Sequence, residues 1–261
     1  MIIVYDLETT GLDPNREDII EICAQSLYDK ECYLDTLVSS PLENSALEIN
    51  HISSKMYRGE GVSPLTMIDS LIDLCRCSNG DSECCYLIAH NNDNFDRVFL
   101  QQAFDKNGRT IPSHWRFVDS LKISRSISDR KSHRLASLIK DIPPEFEKDG
   151  DGGDGSGNNP SVTHRSRDDV ECLMRLVRYW IYRYNYTILD LEKISRDYHL
   201  TKMPFGKYRG RHLRDIPLDY IQWMAYKNIL EREIEISRGL WKYQPGIRML
   251  LESILPVDVL E

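Results

Sequence analysis

The feature that most restricts the fold is residues 2–6, an apolar and mostly β-branched run that ends in Asp6 and is followed by Glu8. Such a run predicts a strand buried in a sheet. Side chains two residues apart point to the same side of a strand, so both acids should stand together at its carboxyl end. Their repulsion would raise both pKa values unless a cation lies between them, and Mg²⁺ and Mn²⁺ prefer such oxygen ligands. A charged strand end without metal is the alternative that this pair alone leaves open.

The remaining pattern predicts an α/β domain with a mixed sheet flanked by helices, because strands come first and then alternate with helices. We predict further strands at 19–27, 32–38, 85–89 and 116–119, and helices at 64–75, 95–104, 135–139 and 170–181. Residues 147–160 are rich in Gly and Asp, which predicts a flexible insert. We expect the first domain to span 1–185 and a smaller C-terminal module to span 186–261.

Composition indicates a protein of the cell interior. No run of 18 apolar residues occurs among the 261, so no membrane span or membrane partner is expected. The amino-terminal residues show neither a basic segment nor a cleavage site. Seven cysteines, an odd number, favour a reduced intracellular protein, cytoplasmic or, in a eukaryote, nuclear. Cys75, Cys77, Cys84 and Cys85 have poor spacing for zinc, and Cys75 and Cys85 fit a helix face and a strand core instead.

The formal net charge of −8 argues against a nucleic-acid binder, but the charge is uneven. Residues 201–243 hold nine Lys and Arg against five Asp and Glu, and a basic patch can occur on an acidic protein. Lys207, Arg209 and Arg211 alternate there and would share one face of a strand. They indicate a surface that binds nucleic-acid phosphates. A solvated hairpin around a small aromatic core is the alternative.

Two further segments carry side chains that could take part in catalysis. Asp96 falls in the first turn of a predicted helix, where the helix dipole favours a carboxylate. His164 lies on a predicted loop before the helix headed by Asp168 and Asp169, and a histidine there can act as a base beside a metal. Taken singly, the first is also explained as a helix-start acid and the second as a surface histidine.

Together, these segments resemble the DEDDh exonucleases, the family of the proofreading subunit of bacterial replicative polymerase. The first motif is the run of residues 6–12, Asp-Leu-Glu-Thr-Thr-Gly-Leu. The second begins at His90-Asn91 and ends at Phe95-Asp96, and the third runs from His164 to Asp169. The resemblance covers about residues 1–185 and implies a ribonuclease H-like fold. The segment around Lys207 is similar to a small module that follows the nuclease domain in exodeoxyribonuclease X-type enzymes.

The resemblance implies a metal-dependent 3′→5′ exonuclease that releases 5′-mononucleotides from DNA. It implies that two divalent cations, Mg²⁺ or Mn²⁺, are held by Asp6, Glu8, Asp96 and Asp169, and that His164 takes the proton of the attacking water. The family spacing selects Asp169, so Asp168 is interpreted as an N-terminal helix acid.

Substrate contacts follow from the same resemblance. Those with the terminal nucleotide are assigned to Thr9, Thr10, Gly11 and Leu12, with Leu12 packing against the base and Asn91 as a further contact. A core position for Leu12 is the alternative. The family often has histidine where this chain has Asn50, which leaves the role of that segment open, and no role is assigned to His51.

The expected partner is nucleic acid, as single-stranded DNA or duplex 3′ ends. RNA remains an alternative, because the same carboxylates serve both substrates and the 2′-OH contact cannot be read from the sequence. A nucleic-acid-binding protein that has lost its chemistry is the alternative of another class. The oligomeric state is left open.

Overall fold

The computed structural model describes residues 1–76, 84–143, 146 and 165–198, together with residues 203, 207–208, 210–212, 215–217, 219–220 and 223. The predicted insert at 147–160, His164 and Arg209 lie outside the described residues. The chain divides into two compact units, Met1–Arg196 and Asp197–Glu261.

The first unit is built on a five-stranded mixed sheet, which confirms the predicted α/β class. Its strands are β1 (Ile2–Thr9), β2 (Ile19–Ser26), β3 (Tyr33–Leu37), β4 (Cys85–Ala89) and β5 (Trp115–Asp119). The spatial order is β3-β2-β1-β4-β5. β2 is antiparallel to β1 and β3, whereas β4 is parallel to β1 and β5. The strand that carries the first motif is therefore central.

Helices cover both faces of this sheet. They are α1 (Leu47–Asn50), α2 (Ser54–Glu60), α3 (Pro64–Leu74), α4 (Asp96–Lys106), α5 (Ser120–Ile127), α6 (Leu135–Ile139), α7 (Ser166–Tyr184) and α8 (Ile188–Asp197), with a 3-10 turn at Asn92–Asn94. We did not predict α1, α2, α5 or α8, which have between four and ten residues and no long apolar stripe. No helix in the described part of the chain is long and apolar enough to cross a membrane.

The alternation of side chains along β1 creates two cores. Ile3 and Tyr5 are fully buried against α3 and α4, while Val4 is fully buried on the opposite face against α5, α6 and α7. By the same alternation, Asp6 and Glu8 belong to the face covered by α7.

The second core also includes α8. Leu191 of this helix is fully buried in it, so the first unit continues past residue 185, where we expected it to end.

Candidate active site

Asp6 and Glu8 lie at the carboxyl end of β1, where that strand has one open edge. β1 pairs with β4 only over residues 2–4, whereas its pairing with β2 continues to Thr9. Both residues are half-buried. The strand therefore presents its two acids beyond the end of its parallel neighbour.

Asp96 occupies this open edge. The Leu7 backbone N–H donates to Asp96 Oδ1 at 3.2 Å, and the Asp96 side chain is buried. Asp96 is the first residue of α4, where the positive end of the helix dipole favours a carboxylate, as predicted. The second acidic segment is thus joined directly to the first.

A buried polar network shapes the turn that leads into α4. Asn91 has a left-handed backbone with φ of 71°. Asp119, at the end of β5, accepts the N–H groups of Asn91 and Asp93 at 3.1 and 3.2 Å. Asn92 donates to carbonyl oxygens of β4 and β5 at 3.1 and 3.0 Å, and Lys122 pairs with Asp93. The Asn91 N–H is therefore used inside the protein, and its predicted contact with substrate stays a prediction.

Asp169 lies in the first turn of α7, which packs across β1 and β2. Burial raises the pKa of Asp6 well above its usual value, and repulsion from Asp96, Asp169 and Glu8 adds to this effect. The pKa of Glu8 rises to about 8 through burial and repulsion from three acids, Asp169 and Asp96 among them. Burial is also the main cause that raises the pKa of Asp96 to about 8. The structure therefore brings the four predicted acids within electrostatic reach of one another.

The donor set fits a divalent cation by its chemistry. Carboxylate oxygens are the ligands that Mg²⁺ and Mn²⁺ prefer, and a cation among these acids would lower all of their pKa values. Within the described ranges, no three His, Cys, Asp or Glu side chains already surround a common point. The four acids thus lie near one another but are not already arranged around one metal position. Their role as metal ligands stays a prediction.

The loop at residues 9–12 buries its hydroxyl groups. Thr9 Oγ1 donates to the Gly11 carbonyl at 2.6 Å, and Thr10 Oγ1 bonds to Glu17 and accepts the backbone N–H of the residue before β2 at 3.0 Å. A Cβ on Gly11 would lie 2.8 Å from Glu17 Cδ, so glycine permits this close approach. Leu12 is 65% exposed, which excludes the core position considered for it. The threonines build the loop, and Leu12 is left facing outward.

Asn50 supports the same loop, a role that sequence reasoning missed. It is buried and donates to the Thr9 carbonyl at 3.2 Å, and its hydrogen bond to Glu8 lowers the pKa of that acid. His51 ends α1 with a left-handed φ of 58° and is exposed. The position at which the family often has histidine thus holds a buried amide beside the site.

Glu21 is a second buried group that we did not predict. It pairs with Glu8 across β1 and β2, is 3% exposed, and forms an ion pair with Arg165 at 2.6 Å. Its signal in the sequence is a lone acid inside the otherwise apolar run at residues 19–24.

In the second unit, basic side chains lie on an aromatic cluster. Lys207 Nζ and Arg211 Cζ lie 5.2 and 5.3 Å from the centre of the Tyr208 ring. Tyr208 packs edge-on against Tyr220 at 4.7 Å, and Tyr220 stacks with Trp223 at 5.5 Å. Both basic residues are exposed, and Trp223 is 45% exposed. The aromatics form a small cluster whose surface carries positive charge.

Comparison of the sequence with known families identifies the class of protein to which this site belongs. The sequence model of the family described as Exonuclease matches residues 3–177, about two thirds of the chain. This chain belongs to that exonuclease family. A second family model, whose description names a quorum-sensing-regulated virulence factor, matches residues 192–233 and so overlaps the basic module.

Curated relatives share the nuclease part of the chain. The chain is 26% identical over 186 residues to DNA polymerase III PolC-type of Mycoplasma genitalium, covering 68% of this chain and 11% of that protein. It is 33% identical over 129 residues to exonuclease DPD1, chloroplastic/mitochondrial, of Arabidopsis thaliana, covering 48% of this chain and 40% of that protein. The chain thus spans less than half the length of either relative.

Solved structures share the fold. Exonuclease X in complex with 5′ overhanging duplex DNA superposes with a TM-score of 0.53 and 19% identity, covering 75% of this chain and 99% of that one. Exonuclease I of E. coli with a dA16 oligonucleotide gives a TM-score of 0.55 and 16% identity, covering 70% of this chain and 41% of that one. At these identities the likeness concerns the fold alone.

Proposed function

We propose that this protein is a divalent-metal-dependent 3′→5′ exonuclease that hydrolyses DNA from its 3′ end and releases 5′-mononucleotides. The observation that carries the proposal is the approach of four carboxylates from three separate elements, β1, α4 and α7, at one end of the central strand. Membership of the exonuclease family supports the same chemistry.

Each group would have a distinct task. The residues that would hold a pair of cations, Mg²⁺ or Mn²⁺, are Asp6, Glu8, Asp96 and Asp169. When bound, such ions activate an attacking water and stabilise the leaving 3′ oxygen. His164, which directly precedes Arg165, would accept the proton of that water, since imidazole titrates near neutrality.

Positioning of the 3′ end is assigned to the loop at residues 9–12. Leu12 is the side chain of that loop that remains exposed, and an apolar contact with the terminal base is tolerant of sequence. This tolerance suits an enzyme that removes nucleotides one after another whatever base comes next.

Single-stranded DNA is the proposed partner of the basic aromatic cluster in the second unit. Lysine and arginine neutralise phosphates, and exposed aromatic faces stack with bases. Lys207, Arg211 and Trp223 offer both kinds of contact on the surface. Arg209 is expected to contribute a further charge.

The proposal is tested by incubating the protein with 3′-labelled DNA and RNA of the same sequence, with Mg²⁺, with Mn²⁺ and with EDTA. We expect mononucleotide release from DNA that requires the cation and is lost in Asp6→Ala. Release that survives Asp6→Ala, or no release from either polymer, would contradict it. Faster release from RNA would favour the exoribonuclease alternative.

The role of His164 needs a separate measurement. Asp6→Ala removes a metal ligand, whereas His164→Ala should leave cation binding intact and lower the rate most near neutral pH. A pH–rate profile that is the same in wild type and His164→Ala would remove this residue as the base.

A further inference from the structure

The start of α7 is attached to the sheet through the buried carboxylate of Glu21. Arg165 Nη2 donates to Glu21 Oε1 at 2.6 Å, and Arg165 Nε donates to the same oxygen at 3.1 Å. The Ser166 backbone N–H donates to Oε2 at 3.1 Å. Both oxygens of this acid are therefore bonded to the point at which the chain enters the helix.

This attachment lies close to the acids of the site along the chain and across the sheet. Arg165 precedes the first residue of α7, and Asp169 follows three residues after Ser166, so Asp169 lies about 4.5 Å further along the helix axis. On the sheet side, Glu21 is the cross-strand neighbour of Glu8. The pair thus connects the strand that carries Glu8 to the helix that carries Asp169.

Stability alone gives a poor account of an acid at this position. The neighbours of Glu21 in β2 are apolar and buried, and removing its carboxylate from water has a cost that a partner as exposed as Arg165, at 40%, offsets only in part. Glu21 also stands directly across from another carboxylate, Glu8, on the neighbouring strand. Like charges placed opposite each other on a sheet are unfavourable, so packing does not explain the choice of an acid here.

A second ion pair on the same segment provides a comparison. Arg167 pairs with Asp35 on β3 at 3.3 Å, but the Arg167 side chain is 75% exposed. An exposed pair of this kind contributes little, roughly 0–1 kcal/mol. Arg165 and Arg167 lie two positions apart in the sequence, but Arg165 is the one that bonds to the buried carboxylate of Glu21. Arg167 is therefore a matched control.

We propose that Glu21 and Arg165 are positioning residues: the ion pair of Arg165 with the buried Glu21 carboxylate sets where α7 begins and so aligns Asp169 with Asp6 and Glu8. The inference rests on the proposed nuclease function. It assigns no contact with substrate to either residue of the pair.

The test compares Arg165→Ala with Arg167→Ala in the full chain. Three quantities are measured for each variant: kcat and KM on a 3′-labelled oligonucleotide, Mn²⁺ affinity by titration calorimetry, and Tm. We expect Arg165→Ala to lower kcat and Mn²⁺ affinity by about 10–100-fold, the range typical when a group that orients a metal ligand is removed. KM for the oligonucleotide should stay close to that of wild type, and Arg167→Ala should match wild type throughout.

Conservative variants distinguish an effect on the position of α7 from an effect on folding. Arg165→Lys keeps the charge but cannot donate two hydrogen bonds in one plane, so kcat should lie between wild type and Arg165→Ala. If Arg165→Ala does not fold, Glu21→Gln is compared with wild type and Arg167→Ala instead, because glutamine keeps the shape of the side chain. The inference is overturned if the variant that folds loses Tm but retains kcat and Mn²⁺ affinity, or if Arg167→Ala is affected equally.

The Mn²⁺ titration also separates this inference from the proposed function. A wild-type protein without nuclease activity would contradict the proposed function. Its Mn²⁺ affinity, compared with that of Arg165→Ala, would still decide whether the pair aligns the acids.

Discussion

The Leu7 backbone N–H donates to Asp96 Oδ1 at 3.2 Å and so joins two acidic segments that are 89 residues apart in the chain. A strand N–H that finds no partner on β4 is satisfied by the carboxylate that opens α4. One side chain therefore completes the edge of the sheet and also stands among the acids of the proposed metal site.

This double role predicts that Asp96→Asn and Asp96→Ala will differ. Asparagine keeps an oxygen that can accept from Leu7 but carries no charge, so the protein should remain folded and become inactive. Loss of the charge should remove several kcal/mol of metal-assisted stabilisation of the transition state, so kcat should fall on the order of 1000-fold. Alanine should lose the same activity and lower Tm as well. Equal Tm values for the two variants would show that the bond to Leu7 is dispensable.

The raised pKa values predict how stability depends on pH without metal. Glu8 and Asp96 have folded pKa values of about 8, above the ordinary values of 4.5 and 3.8, mainly because they are buried. Between pH 6.5 and 8 the folded state therefore binds more protons than the unfolded state, and stability falls as pH rises. Burial lowers the pKa of His90 to about 4, so its opposite contribution grows mainly between pH 4 and 6.5 and adds little within this window. Tm in EDTA should drop by several degrees from pH 6.5 to 8.

Divalent metal should abolish that dependence, because a cation favours the ionised acids. Thermal scans at pH 6.5 and 8, with EDTA and with Mn²⁺, provide the measurement, and Glu8→Gln, which removes one of the two titrating groups, should make the change of Tm in EDTA smaller. A Tm in EDTA that is equal at both pH values would contradict the electrostatic account of the site.

Adjacent acids at the start of α7 should behave differently. Successive residues on a helix point about 100° apart, so one of Asp168 and Asp169 can face Asp6 and Glu8. Repulsion from Asp169 contributes to the raised pKa of both Asp6 and Glu8. We expect Asp169→Asn to lower kcat on the order of 1000-fold, with Asp168→Asn close to wild type. Loss of activity in Asp168→Asn alone would reverse the assignment made from the motif spacing.

Leu12 offers a test of substrate contact without loss of fold. Its side chain is 65% exposed, so Leu12→Ala should change stability by no more than about 0.5 kcal/mol. If the side chain packs on the terminal base, KM should rise severalfold and Tm should stay the same. A drop in Tm with unchanged KM would mean that Leu12 packs against the protein instead.

The basic aromatic cluster should contribute affinity for nucleic acid. Replacing Lys207 and Arg211 together by alanine should weaken binding of a single-stranded oligonucleotide and make it less sensitive to salt, by about 0.7 in the log–log slope for each phosphate that is no longer neutralised. Fluorescence anisotropy over a salt series measures both quantities. An unchanged slope would leave the cluster as a packing element of the second unit.

Local pattern was sufficient to predict the acids of the site but not what surrounds them. Asp6 and Glu8 share one side of a strand because side chains alternate, and Asp96 opens a helix because its position suits the dipole. Glu21 and Arg165 are 144 residues apart, and Asn50 reaches Glu8 from a four-residue helix that no periodicity reveals. Contacts of this kind depend on how distant elements pack, which residue spacing does not report.

The sequence by itself determined which acids this protein has, where each stands within its own strand or helix, and the exonuclease family to which the chain belongs. Only the tertiary structure decided that these acids meet. β1 extends past β4, Asp96 takes the open edge, and α7 is attached to Glu21 across the sheet. The physical reason is that burial and repulsion act between elements, so the shared rise in the pKa values of Asp6, Glu8 and Asp96 exists only once the chain is folded.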